Sequence, residues 1–475
     1  MGGLRPGTTV SATSIVSPRN SKLSRTAAER TISFYYLSGI DFPGCSVTYD
    51  IAADKLTLWI PYTPPATVLW FGNTPSPDDC LAKSDVHDAK YTSQLPGYLS
   101  SRLAEVKALY ALRASQLPKF DGFEKFKPKL MIDIASLQPV MDEARAIKSD
   151  CEIAMIRKAN DISSAAHRKV ARSLHNMTNE CQIEAAFIGA CTAENAHTQA
   201  YPVIAGSGVN ASTLHYDANN EPLAGRQLVV LDAGTEWACY ASDVTRTLPL
   251  ASKFSREAKA IYDLVHQMQD DCIQRIKPGV VFRNLQLHAT LVAVKGLLQL
   301  GILHNGDANE IFKNGTGAAF FPHGLGHHVG LDVHDVLSRD LLRPAGEGMW
   351  GKRRPIGPQS VRAMIKQANQ DLDHDSAHTS TQHQKRQTTN HGILQPDMVV
   401  TVEPGLYFCR PYIEAYFLRN DEHRRFINVE VLERYWDVGG VRIEDCVLVT
   451  RDGHENLTTA PKGEELLRMV GLDVL

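Results

Sequence analysis

The chain has 475 residues, 43% hydrophobic and 22% charged, which is ordinary globular material and long enough for two or three domains with substantial cores. A net charge of −3 excludes a large electrostatic footprint for nucleic acid, and no apolar run is long enough to span a bilayer, so neither nucleic acid nor membrane is expected as a partner. Nine scattered cysteines without a Cys-x-x-Cys pair point to a reducing compartment, not a disulfide framework.

Residues 1–30 are rich in Ser and Thr and carry Arg5, Arg19, Lys22, Arg25 and Arg30 against the single acid Glu29. They read as a disordered or atypical tail. Their composition also suits an organellar transit peptide. The expected location is cytoplasmic, with mitochondrial as the alternative. Residues 31–140 read as a mixed α/β domain. Strands are expected at Thr31–Leu37, Ser46–Ile51, Lys55–Ile60, Val68–Phe71 and Leu130–Ile134. Leu99, Leu103, Val106, Leu109 and Leu112 recur at helical spacing, so one helix is expected over Leu95–Leu117.

A shift in composition near residue 140 opens a second domain, 141–475. Glu143–Arg172 reads as one charged helix and Asn179–Glu194 as another. Ala205-Gly206-Ser207-Gly208 and Leu214-His215-Tyr216 follow. Next, Leu228-Val229-Val230-Leu231 is an apolar β run that ends on Asp232, and Asp243 sits on the return strand. Asp is a poor strand residue. Two of them facing each other across a hairpin repel unless something positive lies between, and a divalent metal is the simplest such partner. Two exposed, hydrated aspartates are the bland alternative.

Helices are expected again at Ser255–Ile276, with Ser255 as N-cap, and at Leu285–Leu300. The repeated order of helix pair and strands suggests an internal duplication. His323-Gly324-Leu325-Gly326-His327-His328 and Leu331-Asp332-Val333-His334-Asp335 come next. Residues 338–391 turn polar and aperiodic and read as a disordered, low-complexity insertion. Order is expected to return at Met398–Gly405, with last strands at Gly440–Asp445 and Cys446–Thr450.

Asp232, Asp243, His327, Glu403 and Glu444 each end or interrupt an apolar β run or lie in the histidine-rich loop. Together they supply four carboxylates and one imidazole, a donor set for two hard divalent ions. The lack of thiolates argues against a structural zinc site.

This set resembles the dinuclear metallopeptidases of the pita-bread fold, in their proline-specific branch of Xaa-Pro aminopeptidases (aminopeptidase P) and prolidases. The resemblance rests on the Asp-x10-Asp spacing of Asp232 and Asp243, the His-Gly-x-x-His run ending at His327, and the Leu331–Asp335 run. Thr401–Gly405, Val441–Glu444, Tyr201-Pro202 and Leu214–Tyr216 also match. It implies an α/β (α+β) fold: a C-terminal pita-bread (creatinase/aminopeptidase) domain behind a shortened, creatinase-like N-terminal domain. It implies that Asp232 chelates one ion, that His327 and Glu403 hold the second, and that Asp243 and Glu444 bridge. Two Mn²⁺ per subunit suit so oxygen-rich a site. Glu403 becomes the candidate general base. His215 and His334 would stabilise the intermediate and escort the leaving imino group, and Arg442 would orient Glu444. The implied partners are a peptide with penultimate proline and a second copy in a homodimer.

Departures from the family bear on the substrate. Prolidases carry a Leu-Arg-Thr-Ala-Arg-like run whose arginine reads the dipeptide carboxylate. Here Thr388–Gly392 stand in its place and Arg386 is out of register. Xaa-Pro aminopeptidase is therefore preferred over prolidase (Xaa-Pro dipeptidase). Asp397 stands where the family's turn has glycine. A non-catalytic peptide-binding module and a metal-free amidinohydrolase are the other classes, and retention of the whole ligand set argues against both. For His323 and His328, shaping the loop and facing solvent are the bland roles.

Overall fold

The computed structural model describes residues 10–15, 32–120, 122–251, 253–342 and 392–471. Most of the segments 1–30 and 338–391 lie outside them. The chain divides into two compact units, Met1–Ala144 and Arg145–Leu475.

The first unit is built on a six-stranded sheet. Its elements are β1 (Val10–Ile15), α1 (Ile32–Ser38), β2 (Ser46–Asp50), β3 (Lys55–Ile60), α2 (Pro65–Phe71), α3 (Pro77–Leu81), β4 (Asp88–Tyr91), α4 (Leu95–Leu103), β5 (Ala108–Tyr110) and β6 (Met131–Asp133). The strand order is β4-β3-β2-β1-β5-β6. Successive residues of β3 serve opposite faces, as a strand's period of two requires. Leu58 and Ile60 pack with Val47 and Phe34, whereas Trp59 packs with Leu95, Leu99 and Leu103.

Five expectations are corrected. Val10–Ile15, placed in a tail, is a strand paired with both β2 and β5; Val10, Thr13 and Ile15 are β-branched, but Ser- and Thr-rich flanks hid so short a run. Thr31–Leu37 and Val68–Phe71, read as strands from β-branched and aromatic content, are helical at α1 and α2. Pro64 and Pro65 start the latter, and Pro65 sits at the first helical position, where its missing N–H costs nothing. The helix over Leu95–Leu117 is instead α4 followed by β5. Its five periodic residues are all buried; Leu99 and Leu103 of α4 share one core with Val106 and with Leu109 of β5, and Leu112 lies beyond that strand. Finally, Glu143–Arg172 is broken. A helix α5 (Leu137–Ala146) stops before Ser149, which caps α6 (Asp150–Ser173) through a reciprocal box with Glu152.

The second unit repeats one plan twice. Helices α6 and α7 (Glu180–Ala193) precede an antiparallel sheet of β7 (Ile204–Ser207), β8 (Leu228–Asp232) and, after a small hairpin of β9 (Glu236–Trp237) and β10 (Tyr240–Ala241), β11 (Thr245–Pro249). Helices α8 (Arg256–Ile273), α9 (Phe282–Gln299) and α10 (Ala308–Asn314) precede β12 (Val399–Val402), β13 (Gly405–Tyr407), β14 (Gly440–Arg442), β15 (Asp445–Val449) and β16 (His454–Asn456). β12, β15 and β16 form the second three-stranded sheet, and β13 pairs with β14. β8 is buried on both faces, which explains its unbroken apolar run: Val229 and Leu231 meet Ile183 and Phe187, while Leu228 and Val230 meet the α8–α9 core. The β-bridge between Thr245 and Glu444 and the hydrogen bond from Ala241 N to Gly330 O (2.8 Å) join the two halves.

Candidate active site

The acids meet at that bridge. β8 ends on Asp232, whose partner across the ladder is Thr245, not Asp243. Asp243 lies just before β11, and Gly234 lets the two strands close, because a side chain there would overlap Ser242 O. Glu444 immediately precedes β15, and its N–H donates to Thr245 O at 3.1 Å. From the other half, Glu403 follows β12. The histidine-rich loop runs alongside that strand: Thr401 N donates to His327 O (2.8 Å) and Glu403 N to Leu325 O (2.8 Å). A side chain at Gly326 would overlap Thr401 O, so the close approach of loop and strand depends on glycine.

The five expected ligands therefore converge. Ligand atoms of Asp232, Asp243 and Glu444 lie within 4.8 Å of one another, as do those of His327, Glu403 and Glu444. Asp232, Asp243, His327 and Glu444 are all buried. His327 Nε2 stands 3.3 Å from Asp243 Oδ2, 3.4 Å from Glu403 Oε1 and 4.0 Å from Glu444 Oε1. His327 Nδ1 lies 3.0 Å from His328 O, which can only accept. In the neutral ring Nδ1 thus carries the proton, and Nε2 turns its lone pair toward the carboxylate oxygens. Glu444 Oε1 is buried with no hydrogen-bond partner among the described residues. A lone pair and buried oxygens facing one another fit a cation between them.

The charges tell the same story. Burial, then the charge of Asp232, pushes the Asp243 carboxyl well above its ordinary range. Burial, then Asp243 and Asp232, does the same to Glu444. Burial, then Glu444, raises Glu403. These groups resist ionising together because they are desolvated and of like charge.

Arg442, expected to orient Glu444, reaches it through a hydroxyl. Its Nη2 donates to Asp232 Oδ2 at 2.6 Å and its Nε to Thr245 Oγ1 at 3.2 Å, and that hydroxyl donates to Glu444 Oε2 at 2.7 Å. β14 ends at Arg442, so Glu444 lies past the strand. The other oxygen of Asp232 accepts the Tyr201 hydroxyl at 2.6 Å. Arg442 Nη1 also donates to the Tyr407 hydroxyl at 2.9 Å. His323 Nδ1 faces Gly324 O (2.8 Å), so its Nε2 accepts from Tyr407 (2.9 Å). Burial, then Arg442, pushes the His323 imidazole down to about 3.

His334 stands at the mouth, its ring centroid 4.1 Å from that of His327. Desolvation, then His327 and His215, lowers its imidazole to about 4. His215 is exposed and lies close enough to His323 and His334 to act on both electrostatically. His328 is fully buried beside β12, so the bland solvent-facing role does not hold for it. Asp397 does take the left-handed conformation of its turn, at φ +68°. Arg386 and Thr388–His391 lie outside the described residues.

Sequence reasoning missed Thr245, Tyr407 and the role of Tyr201. Buried hydroxyls in strands look like ordinary β residues. The available signal was the place of Thr245 just after Asp243 and of Tyr407 just after Glu403.

Residues 154–451 match the family model of metallopeptidase family M24, and residues 29–110 that of the aminopeptidase P N-terminal domain. A probable Xaa-Pro aminopeptidase of Colletotrichum graminicola is 54% identical over 444 residues, covering 92% of this chain and 83% of the relative. The chain belongs to the Xaa-Pro aminopeptidases of metallopeptidase family M24. A probable Xaa-Pro aminopeptidase of Metarhizium acridum is 49% identical, covering 96% of this chain and 88% of its own. Among solved structures, the low-pH form of aminopeptidase P from E. coli matches at a TM-score of 0.74 with 26% identity, over 98% of this chain and 95% of the other. The E. coli enzyme with the inhibitor Pro-Leu matches at 0.72 with 25% identity, over 98% and 94%. As a member of this family the chain is a metal-dependent aminopeptidase with the pita-bread fold. The binding-module and metal-free amidinohydrolase readings are set aside. No helix among the described residues is long and apolar enough to cross a membrane.

Proposed function

We propose that this enzyme releases the N-terminal residue from peptides with proline in second position, using two Mn²⁺ held by Asp232, Asp243, His327, Glu403 and Glu444. Asp243 and Glu444 are the carboxylates that belong to more than one ligand cluster and would be shared between the two ions; His327, also in two clusters, has a single lone pair and would hold one. The observation that carries the reading is the lone pair of His327 Nε2 directed at three carboxylates. When bound, such a pair of ions supplies an activated water and electrophilic polarisation of the scissile carbonyl. Oxygen-rich donors with one imidazole favour Mn²⁺ over Zn²⁺.

The chain's own groups do the rest. Glu403, with its raised proton affinity, takes and returns a proton beside the reacting atoms. Arg442 and Tyr201 hold Asp232 from both sides. His334, neutral at pH 7, offers an N–H to the substrate, and His215 faces it. The tertiary amide nitrogen of the Xaa-Pro bond has no N–H to grip, so recognition falls to imidazoles around the ring. A homodimer remains part of this reading.

The test compares cleavage of an Xaa-Pro-Xaa peptide and an Xaa-Pro dipeptide with Mn²⁺ present. Faster release from the longer peptide supports the aminopeptidase; preference for the dipeptide would assign a prolidase.

A further inference from the structure

Glu180 opens α7, and no step above uses it. Its side chain is fully buried. Oε1 accepts from Ser207 N (2.8 Å), Ser207 Oγ (2.6 Å) and Asn210 Nδ2 (3.2 Å). Oε2 accepts from the Tyr216 hydroxyl (2.8 Å) and Glu221 N (3.0 Å). Every one of these donors belongs to the segment 207–221, which carries His215. Arg226 Nη1, 3.5 Å away, balances the charge. One carboxylate thus gathers both arms of a loop with little regular structure of its own, a use for which an ion is better suited than a neutral acceptor.

The loop's other side is fixed by glycine. A side chain at Gly439 would overlap Gly208 O, and one at Gly440 would overlap Ala211 O. Gly439 also has φ +70°, a conformation natural to glycine. Gly440 begins β14, which ends on Arg442. The loop is therefore held between the strand that grips Asp232 and the carboxylate of Glu180. His215 is exposed, so its place beside His323 and His334 depends on the backbone that carries it.

We propose that Glu180 is a positioning residue for this hydrolase, acting through Tyr216 to set His215 against the substrate. This rests on the reading of His215 as a substrate-side group.

The experiment is a double-mutant cycle on the Mn²⁺-loaded enzyme with an Xaa-Pro-Xaa peptide: His215→Ala, Tyr216→Phe and both together, with kcat, KM, metal content and melting temperature for each. His215→Ala is expected to lower kcat by about 100-fold with metal content unchanged. Tyr216→Phe is expected to lower kcat about tenfold, with little change in KM, metal or melting temperature. On the His215→Ala background Tyr216→Phe should cost nothing further, because one acts through the other. Glu180→Gln should follow Tyr216→Phe with a larger loss of kcat. Equal losses from Tyr216→Phe on both backgrounds, or no loss in the wild type, would overturn the positioning role while leaving His215 in place. Wild-type turnover in His215→Ala would instead overturn the role of His215, and the proposal with it.

Discussion

Arg442 donates to Asp232 at 2.6 Å across 210 positions of sequence, and both side chains are buried. The pair ties β14 to the end of β8 and fixes one carboxylate oxygen while Tyr201 fixes the other. A lysine in place of Arg442 keeps the charge but loses the planar fork that reaches Asp232, Thr245 and Tyr407 together. Arg442→Lys is expected to lower turnover or metal affinity by about 10- to 100-fold, as for other groups that orient metal ligands. Metal titration followed by the peptide assay checks it; full activity in the variant would show that Asp232 needs no such hold.

Metal removal gives a pH dependence whose sign is fixed. Asp243, Glu403 and Glu444 have proton affinities raised in the folded, metal-free chain, above all by burial. In the window above the ordinary carboxylate range the folded state then binds more protons than the unfolded state, so stability falls as pH rises. The metal-free enzyme should melt progressively lower from about pH 5 to 8. Saturating Mn²⁺ should restore stability most at the upper end, by about 3 kcal/mol per site at a hundredfold excess over Kd. Melting curves with and without chelator measure this. Identical curves would contradict the account.

Gly326 tests the seam between loop and strand. An added methyl would meet the carbonyl of Thr401, backbone that has no rotamer to yield. Gly326→Ala is expected to cost about 1–3 kcal/mol and to displace His327. The readouts are melting temperature and metal content, both of which should fall.

Asp335 tests the anchor of the neighbouring histidine loop. It is buried, paired with Arg145, and 3.1 Å from Lys148 Nζ. Burial alone would raise its carboxyl, but the two cations hold it below the ordinary range. A depressed folded value means that this contribution is present above about pH 4 and is lost as pH falls through the folded value. Asp335→Asn should cost about 3–5 kcal/mol at pH 7, because it leaves buried cations unpaired. It should also flatten the acid limb of the stability curve; an unchanged acid limb would show that other carboxylates control it.

The site was legible because its chemistry violates local preference. Asp232, Asp243, Glu403 and Glu444 break apolar runs, and charges do that rarely without a partner. The supports were not legible, since Thr245, Tyr407 and Glu180 break no pattern. The fold of the second unit followed from helix periodicity and the unbroken run of β8. In the first unit, propensity failed. Ile32–Ser38 is β-branched and aromatic yet helical, and the leucine spacing of 95–117 crosses from α4 into β5. Tertiary burial overrides local preference in such short elements. The break before α6 could have been read from Ser149 and Glu152, which spell a capping box.

The most direct measurement is metal bound per chain, taken together with prolyl-peptide cleavage, in the wild type and in Asp243→Ala and Glu444→Ala. The wild type should hold about two ions per chain, and each variant should lose metal and activity together. Metal-free wild type that cleaves at the full rate, or either variant retaining both metal and turnover, would contradict the account.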